Sequence, residues 1–149
     1  MVLNKDFREF IELLNQNDVK YLIVGGYAVG FHGYPRYTKD LDIWVWVDPQ
    51  NAEALIKSLH QFGFSQSGLE IQDFLEIGQF VQLGQPPNRI DLITSCDGLD
   101  FESCYPFKVQ VDMQGILVSF IDYESLLINK RATARPQDWA DIDNLMDNN

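Results

Sequence analysis

The chain has 149 residues, with 22 Asp and Glu against 11 Lys and Arg, a formal charge of −11. Its 46% hydrophobic content excludes a disordered acidic tail, and its length suits one domain, residues 1–149, that buries a core unaided. The acid surplus disfavours non-specific nucleic-acid binding, which draws its affinity from Lys and Arg set against phosphate.

Cys96 and Cys104 form neither a disulfide framework nor a Cys-x-x-Cys redox or zinc motif. The first residues carry charges where a signal peptide needs an apolar run. No apolar stretch approaches the ~18 residues of a membrane span. A cytoplasmic protein without a membrane partner is the expectation.

Phe7, Phe10, Ile11 and Leu14 recur at helical spacing, which predicts an amphipathic helix ending near Asn15–Asp18. Tyr21-Leu-Ile-Val reads as a short strand that stops at Gly25-Gly26. A short helix is expected from Tyr27 to about Tyr34, before Pro35 forces an extended or turn conformation. Asp40 to Val47 reads as a strand with Leu41, Ile43, Val45 and Val47 on one face. Its other face carries Asp40, Asp42, Trp44 and Trp46. Asp48 suits an N-cap and Pro49 a first helical position, opening a helix that Gly63 closes.

Leu75 to Leu83 and Arg89 to Thr94 read as two further strands, joined through Gly84-Gln-Pro-Pro-Asn. Asp97 to Phe107 suggests a short helix. Val109 to Val111 and Ile116 to Ile121 suggest a hairpin about Met113-Gln-Gly115. Helices over Tyr123–Thr133 and Pro136–Met146 end the chain, parted by Arg135-Pro136. The fold class is α+β.

Asp40 and Asp42 demand a physical account. Two apart on a strand, their side chains emerge on one face, roughly 6–7 Å apart at the backbone. Like charges so close repel, unless a cation lies between them. Mg²⁺ would turn that repulsion into ligation, since it takes carboxylate oxygens and substrate phosphates. The alternative is an edge strand with two solvated aspartates.

Three neighbours favour the site. Gly25-Gly26 follows a strand and precedes a helix, where backbone N–H groups can hold phosphate. Arg36, Thr38 and Lys39 bring cations and a hydroxyl to the approach. Asp91, inside the apolar run Arg89-Ile-Asp-Leu-Ile, is anomalous for a buried strand. A third metal ligand or general base would account for it.

The run Val24-Gly-Gly-Tyr-Ala-Val-Gly through Arg36-Tyr-Thr-Lys-Asp-Leu-Asp-Ile resembles the signature of the DNA polymerase beta-like nucleotidyltransferase superfamily. Its Arg-x-Thr-x-Asp-x-Asp pattern is closest in look to the abortive-infection type IV toxin branch and related tRNA-modifying toxins. Leu126-Leu-Ile-Asn-Lys-Arg through Arg135-Pro-Gln-Asp-Trp-Ala-Asp-Ile resembles that branch's Lys…Arg-x-x-Asp element.

The resemblance implies a mixed β-sheet flanked by helices, with two C-terminal helices completing a cleft. It implies Asp40, Asp42 and Asp91 as catalytic residues and ligands of Mg²⁺, two ions in all. Gly25, Gly26, Arg36, Thr38, Lys130 and Asp138 would contact an NTP substrate. The nucleotidyl group would pass to a hydroxyl acceptor (a tRNA, a protein or a small molecule), with a cognate antitoxin as a further partner. Tyr27 departs from the pattern, standing where much of the superfamily has Ser. Phosphate contacts would then fall on the backbone amides. A non-catalytic nucleotide- or partner-binding module on the same fold is the alternative.

Other residues have plainer readings. Lys130 lies in the middle of the Tyr123, Leu126, Leu127 stripe and needs either a route to water or an anion such as phosphate. Asp138 falls in a first helical turn, where the dipole favours a carboxylate. Trp46 is ~13 Å along the strand from Asp42, too far to stack on the same nucleotide. For it and Trp44, packing under the last helices is the simpler reading. His32 and His60 lack any zinc-ligand spacing. A two-carboxylate glycosidase fails on geometry, because the paired aspartates cannot flank a sugar bond with ~5 Å or more between them.

Overall fold

A computed structural model describes residues 3–35 and 38–149. The first helix, α1 (Lys5–Gln16), is capped by the Asn4 side chain and buries Phe7, Phe10, Ile11 and Leu14, the expected stripe. Strand β1 (Tyr21–Val24) is buried at every position. Helix α2 (Gly25–Phe31) follows without a loop, so it starts two residues before the expected Tyr27. Gly25-Gly26 therefore form its opening residues rather than a preceding turn.

Strand β2 (Asp40–Val45) leads through the Asp48 cap to α3 (Pro49–Phe62), which ends at a left-handed Gly63 as the sequence predicts. The expected strand from Leu75 is cut down to β3 (Phe80–Leu83). Ahead of it the chain makes a 3₁₀ turn at Ile71–Phe74 that buries Phe74, and Gly78 then turns at φ +89°. That left-handed residue interrupts the extended run, and pairing begins only beyond it.

Strand β4 (Arg89–Ile93) precedes the one-turn helix α4 (Phe101–Cys104) and a 3₁₀ turn at Tyr105–Phe107. The hairpin of β5 (Val109–Met113) and β6 (Ile116–Phe120) turns through Gln114 and Gly115, both at positive φ. Helices α5 (Tyr123–Thr133) and α6 (Pro136–Asp147) finish the chain.

The strands form one mixed sheet in the order β3-β4-β2-β1-β6-β5. Two pairings place the site. β1 runs antiparallel to β2 with Val24 opposite Asp42, so the glycines that end β1 arrive beside that carboxylate. β2 runs parallel to β4 with Asp42 opposite Asp91. On β2, Leu41, Ile43 and Val45 are fully buried, and helices α1 and α3 pack together with Phe10 5.2 Å from Phe62. Among the described residues, no helix is long and apolar enough to cross a membrane.

Trp44 is buried, as expected for a core residue. It packs edge-on against Phe101 of α4, at 5.2 Å between centroids. Lys20 lies 4.8 Å over the ring of Trp46. The short α4, ambiguous in sequence, supplies an aromatic neighbour for Trp44. His32 is packed too, its Nε2 2.6 Å from the Ile121 carbonyl oxygen.

Candidate active site

Parallel registration of β2 on β4 brings Asp40, Asp42 and Asp91 together. Oxygens from the three carboxylates lie within 4.8 Å of one another. They line a cleft of about 470 Å³, with Gly25, Gly26 and Thr38 on one side and Asn129, Lys130 and Arg135 from the C-terminal segment on another. Burial, and then the charges of Asp40 and Asp91, push the Asp42 carboxyl up to about 7. Asp40 is raised by burial and then by Asp91, with Arg89 opposing. An all-oxygen set of crowded carboxylates, two of them reluctant to ionise, suits a hard divalent cation such as Mg²⁺.

Arg89 supplies positive charge within the fold. It donates from Nε to Asp91 Oδ1 at 2.8 Å and from Nη2 to Asp91 Oδ2 at 2.9 Å. The same group lies 3.6 Å from Asp40. Asp91 itself is buried, in keeping with its place in an apolar strand.

The glycines are fitted to the site. Gly25 has φ +66°, and a side-chain carbon there would run into the Asp42 carboxylate. At Gly26 the same carbon would stand 2.8 Å from Thr38 Oγ1. Thr38 Oγ1 donates to the Asp40 carbonyl oxygen at 3.1 Å, which places the hydroxyl between Gly26 and the start of β2. Tyr27 turns away toward α1 and meets Phe7 edge-on at 5.6 Å. Arg36 lies outside the described residues.

Lys130 lines the cleft, and the anions it meets within the protein are carboxylates. It is buried, with Nζ 3.3 Å from Asp138 and 3.0 Å from Asp141. Asp138 is fully buried and does not line the cleft; both its oxygens are taken up inside the protein. Thr133 Oγ1 donates to it at 2.6 Å, and Arg135 donates through its backbone N–H at 3.0 Å and its Nε at 2.8 Å. Burial alone would raise this carboxyl, but the bonds from Arg135 and Thr133 hold it well below the usual carboxylate range. Asp138 thus ties α6 to α5 and anchors Lys130 and Arg135, which line the cleft from the C-terminal segment.

Sequence reasoning passed over several lining residues. Arg89 was visible only as a flank of the Asp91 strand, yet among the described residues it is the cation closest to the carboxylates. Phe80 is an exposed aromatic on β3 beside the same cleft, with period-two spacing its only signal. Asn129 donates to the Asp97 carbonyl oxygen at 3.0 Å and fixes the loop after β4. Cys96 also lines the cleft, and burial pushes its thiol far up, which leaves it protonated and unreactive.

No known family profile matches the sequence, and no curated protein matches it. Solved structures do. The lincosamide antibiotic adenylyltransferase LnuA, determined with lincomycin bound, superposes with a TM-score of 0.58 at 15% identity over 99% of both chains. A Thermotoga maritima protein described as a nucleotidyltransferase gives 0.60 at 11% identity, over 96% of this chain and 91% of its own. An antigenic nucleotidyltransferase-like protein from Paracoccidioides brasiliensis gives 0.54 at 18%, over 95% and 75%. The chain has the mixed α+β fold of nucleotidyltransferases.

Proposed function

We propose that this chain transfers a nucleoside monophosphate from an NTP to a hydroxyl acceptor and releases pyrophosphate. The observation that carries this reading is the convergence of three carboxylates within 4.8 Å, in a cleft walled by Gly25-Gly26 and Lys130. Asp40, Asp42 and Asp91 would hold Mg²⁺, which would offset their charge and polarise the phosphate oxygens when bound. The backbone at Gly25 and Gly26, without side chains, lets the triphosphate approach closely. Thr38 holds the start of the Asp40 strand beside Gly26. Arg36, placed by the Arg-x-Thr-x-Asp-x-Asp pattern, is proposed as a further phosphate contact.

Lys130 and Arg135, oriented by Asp138 and Asp141, set positive charge toward the phosphates. Asp138 acts through these cations and does not touch nucleotide, which revises the contact that the resemblance implies. The acceptor oxygen attacks the α-phosphorus and its proton passes to Asp91. The new P–O bond forms as the bond to the β-phosphate bridging oxygen breaks, and pyrophosphate leaves with the electron pair. Charge placement of this kind supplies most of the rate in phosphoryl-group chemistry.

A small-molecule alcohol is the favoured acceptor. It is supported by the likeness to LnuA across both full chains and by the formal charge of −11, which opposes a tRNA. The toxin role and its antitoxin rest on the motif resemblance alone and are proposed second to this. A reducing cytoplasm suits the two buried, unpaired thiols, Cys96 and Cys104.

The test is incubation with each labelled NTP, Mg²⁺ and a panel of alcohols. Transfer lost in D40N and D42N supports the reading; NTP binding with no turnover on any acceptor favours the binding-module alternative, which the Tyr27 departure motivates.

A further inference from the structure

On the same face of β2 as the carboxylates, one pleat beyond Asp42, stands Trp44. It forms the wall of a second cavity, of about 410 Å³, a size suited to a small molecule and not to a macromolecule. Trp46, Leu99 and Phe101 complete its aromatic and aliphatic lining, and Ile77, 69% exposed, lies at its mouth. Asp100 and Glu102, both exposed, supply the carboxylates. No Lys, Arg or His among the described residues lines it; Lys20, above the Trp46 ring, is not part of the lining. Ser95 lines this cavity and the carboxylate cleft alike, so the two adjoin at that residue.

The chemistry of the lining selects an occupant. Aromatic faces, with the carboxylates of Glu102 and of Asp100, which also caps α4 by accepting from Ser103, together favour an apolar body that carries a protonated amine. The Trp44 indole N–H is buried and has no hydrogen-bond acceptor.

We propose that this cavity is the acceptor subsite, and that the acceptor is a small alcohol bearing a cationic amine on an apolar body. The proposal rests on the nucleotidyl-transfer reading and names its substrate class. The amine end is held at Asp100 and Glu102 and the body against Trp44 and Phe101. The hydroxyl is then directed past Ser95 toward Asp42 and Asp91, where it loses its proton as the P–O bond forms.

A matched pair of probes tests the charge requirement: N-benzylethanolamine, cationic at neutral pH, and 2-benzyloxyethanol, its neutral isostere. Titrations followed by tryptophan fluorescence should show the amine binding about fivefold tighter, with the preference shrinking in E102Q. Ile77→Arg, at an exposed position that folding tolerates, should weaken amine binding about tenfold by placing a cation at the mouth. Equal binding of amine and ether, or amine binding indifferent to I77R, overturns the amine site. ATP with magnesium, titrated separately into the unaltered chain, tests the nucleotide reading alone. If ATP does not bind while the amine preference holds, the transfer role falls and the amine site stands.

Discussion

Arg89 spans both oxygens of Asp91, at 2.8 and 2.9 Å, and reaches toward Asp40 at 3.6 Å. The pair lies within one strand, at positions i and i+2, so β4 carries both a carboxylate of the cluster and the cation that balances it. A divalent ion entering the cluster must compete with this guanidinium for the same oxygens.

Arg89→Gln is therefore expected to bind Mg²⁺ or Mn²⁺ more tightly, by about tenfold, because one adjacent positive charge is gone. The metal-free variant should melt lower than the native chain and gain more from added metal. Calorimetric titration and melting with and without EDTA measure the two effects. Weaker metal binding in the variant would mean that Arg89 organises the carboxylates instead of competing for them.

Asp42→Asn should separate stability from activity. In the absence of metal the Asp42 carboxyl titrates near 7, above its ordinary value, because burial and its two acidic neighbours oppose its charge. A carboxyl raised in the folded state stabilises least once pH exceeds that value. In EDTA the variant should thus gain most over the native chain at pH 8 and least at pH 5. Labelled-NTP transfer should meanwhile fall roughly a thousandfold.

Gly25→Ala tests the close approach of β1 to the carboxylates. The left-handed backbone costs a side chain about 1–2 kcal/mol, before the contact with Asp42 is counted. Since the added carbon meets the Asp42 carboxylate, that carboxylate must move. Mn²⁺ binding should weaken along with the melting temperature. A variant that loses stability but keeps its metal affinity would show that the glycine serves the left-handed backbone alone.

The part of this site that was legible in the sequence is the part made by strands. Period-two alternation puts Asp40 and Asp42 on one face, and a lone Asp in an apolar run marked Asp91 before its partner strand was known. Their union needed only one parallel pairing, which the register supplies. What stayed hidden depends on packing between elements. Lys130 in an apolar stripe was anomalous, but Asp141 as its partner follows from how α6 crosses α5. Arg89 looked like a strand flank because nothing in a one-dimensional pattern says which way a long side chain folds back. The strand predicted from Leu75 failed at Gly78, whose positive φ breaks a run that hydrophobicity alone would continue.

The C-terminal anchor makes the last prediction. Asp138 is fully buried and binds Lys130, Thr133 and Arg135 at once. Breaking a buried pair of this kind costs about 3 kcal/mol or more, because the remaining charge stays desolvated. Asp138→Asn should lower stability by that order at neutral pH. The burden has a definite pH range. Asp138 is held below its ordinary value of 3.8, so the unfolded chain takes up its proton first as acid is added. Its contribution is full above about pH 5 and is lost as pH falls below about 4 toward the folded value. Urea unfolding at pH 7 and pH 3 should show the gap between native chain and variant closing in acid. Nucleotide binding provides the other half of the test: D138N should weaken it through Lys130 and Arg135, and Thr133→Val, which removes one donor to the same carboxylate, should do so to a smaller degree. A gap that stays constant with pH would mean that the Asp138 carboxylate contributes packing and not charge.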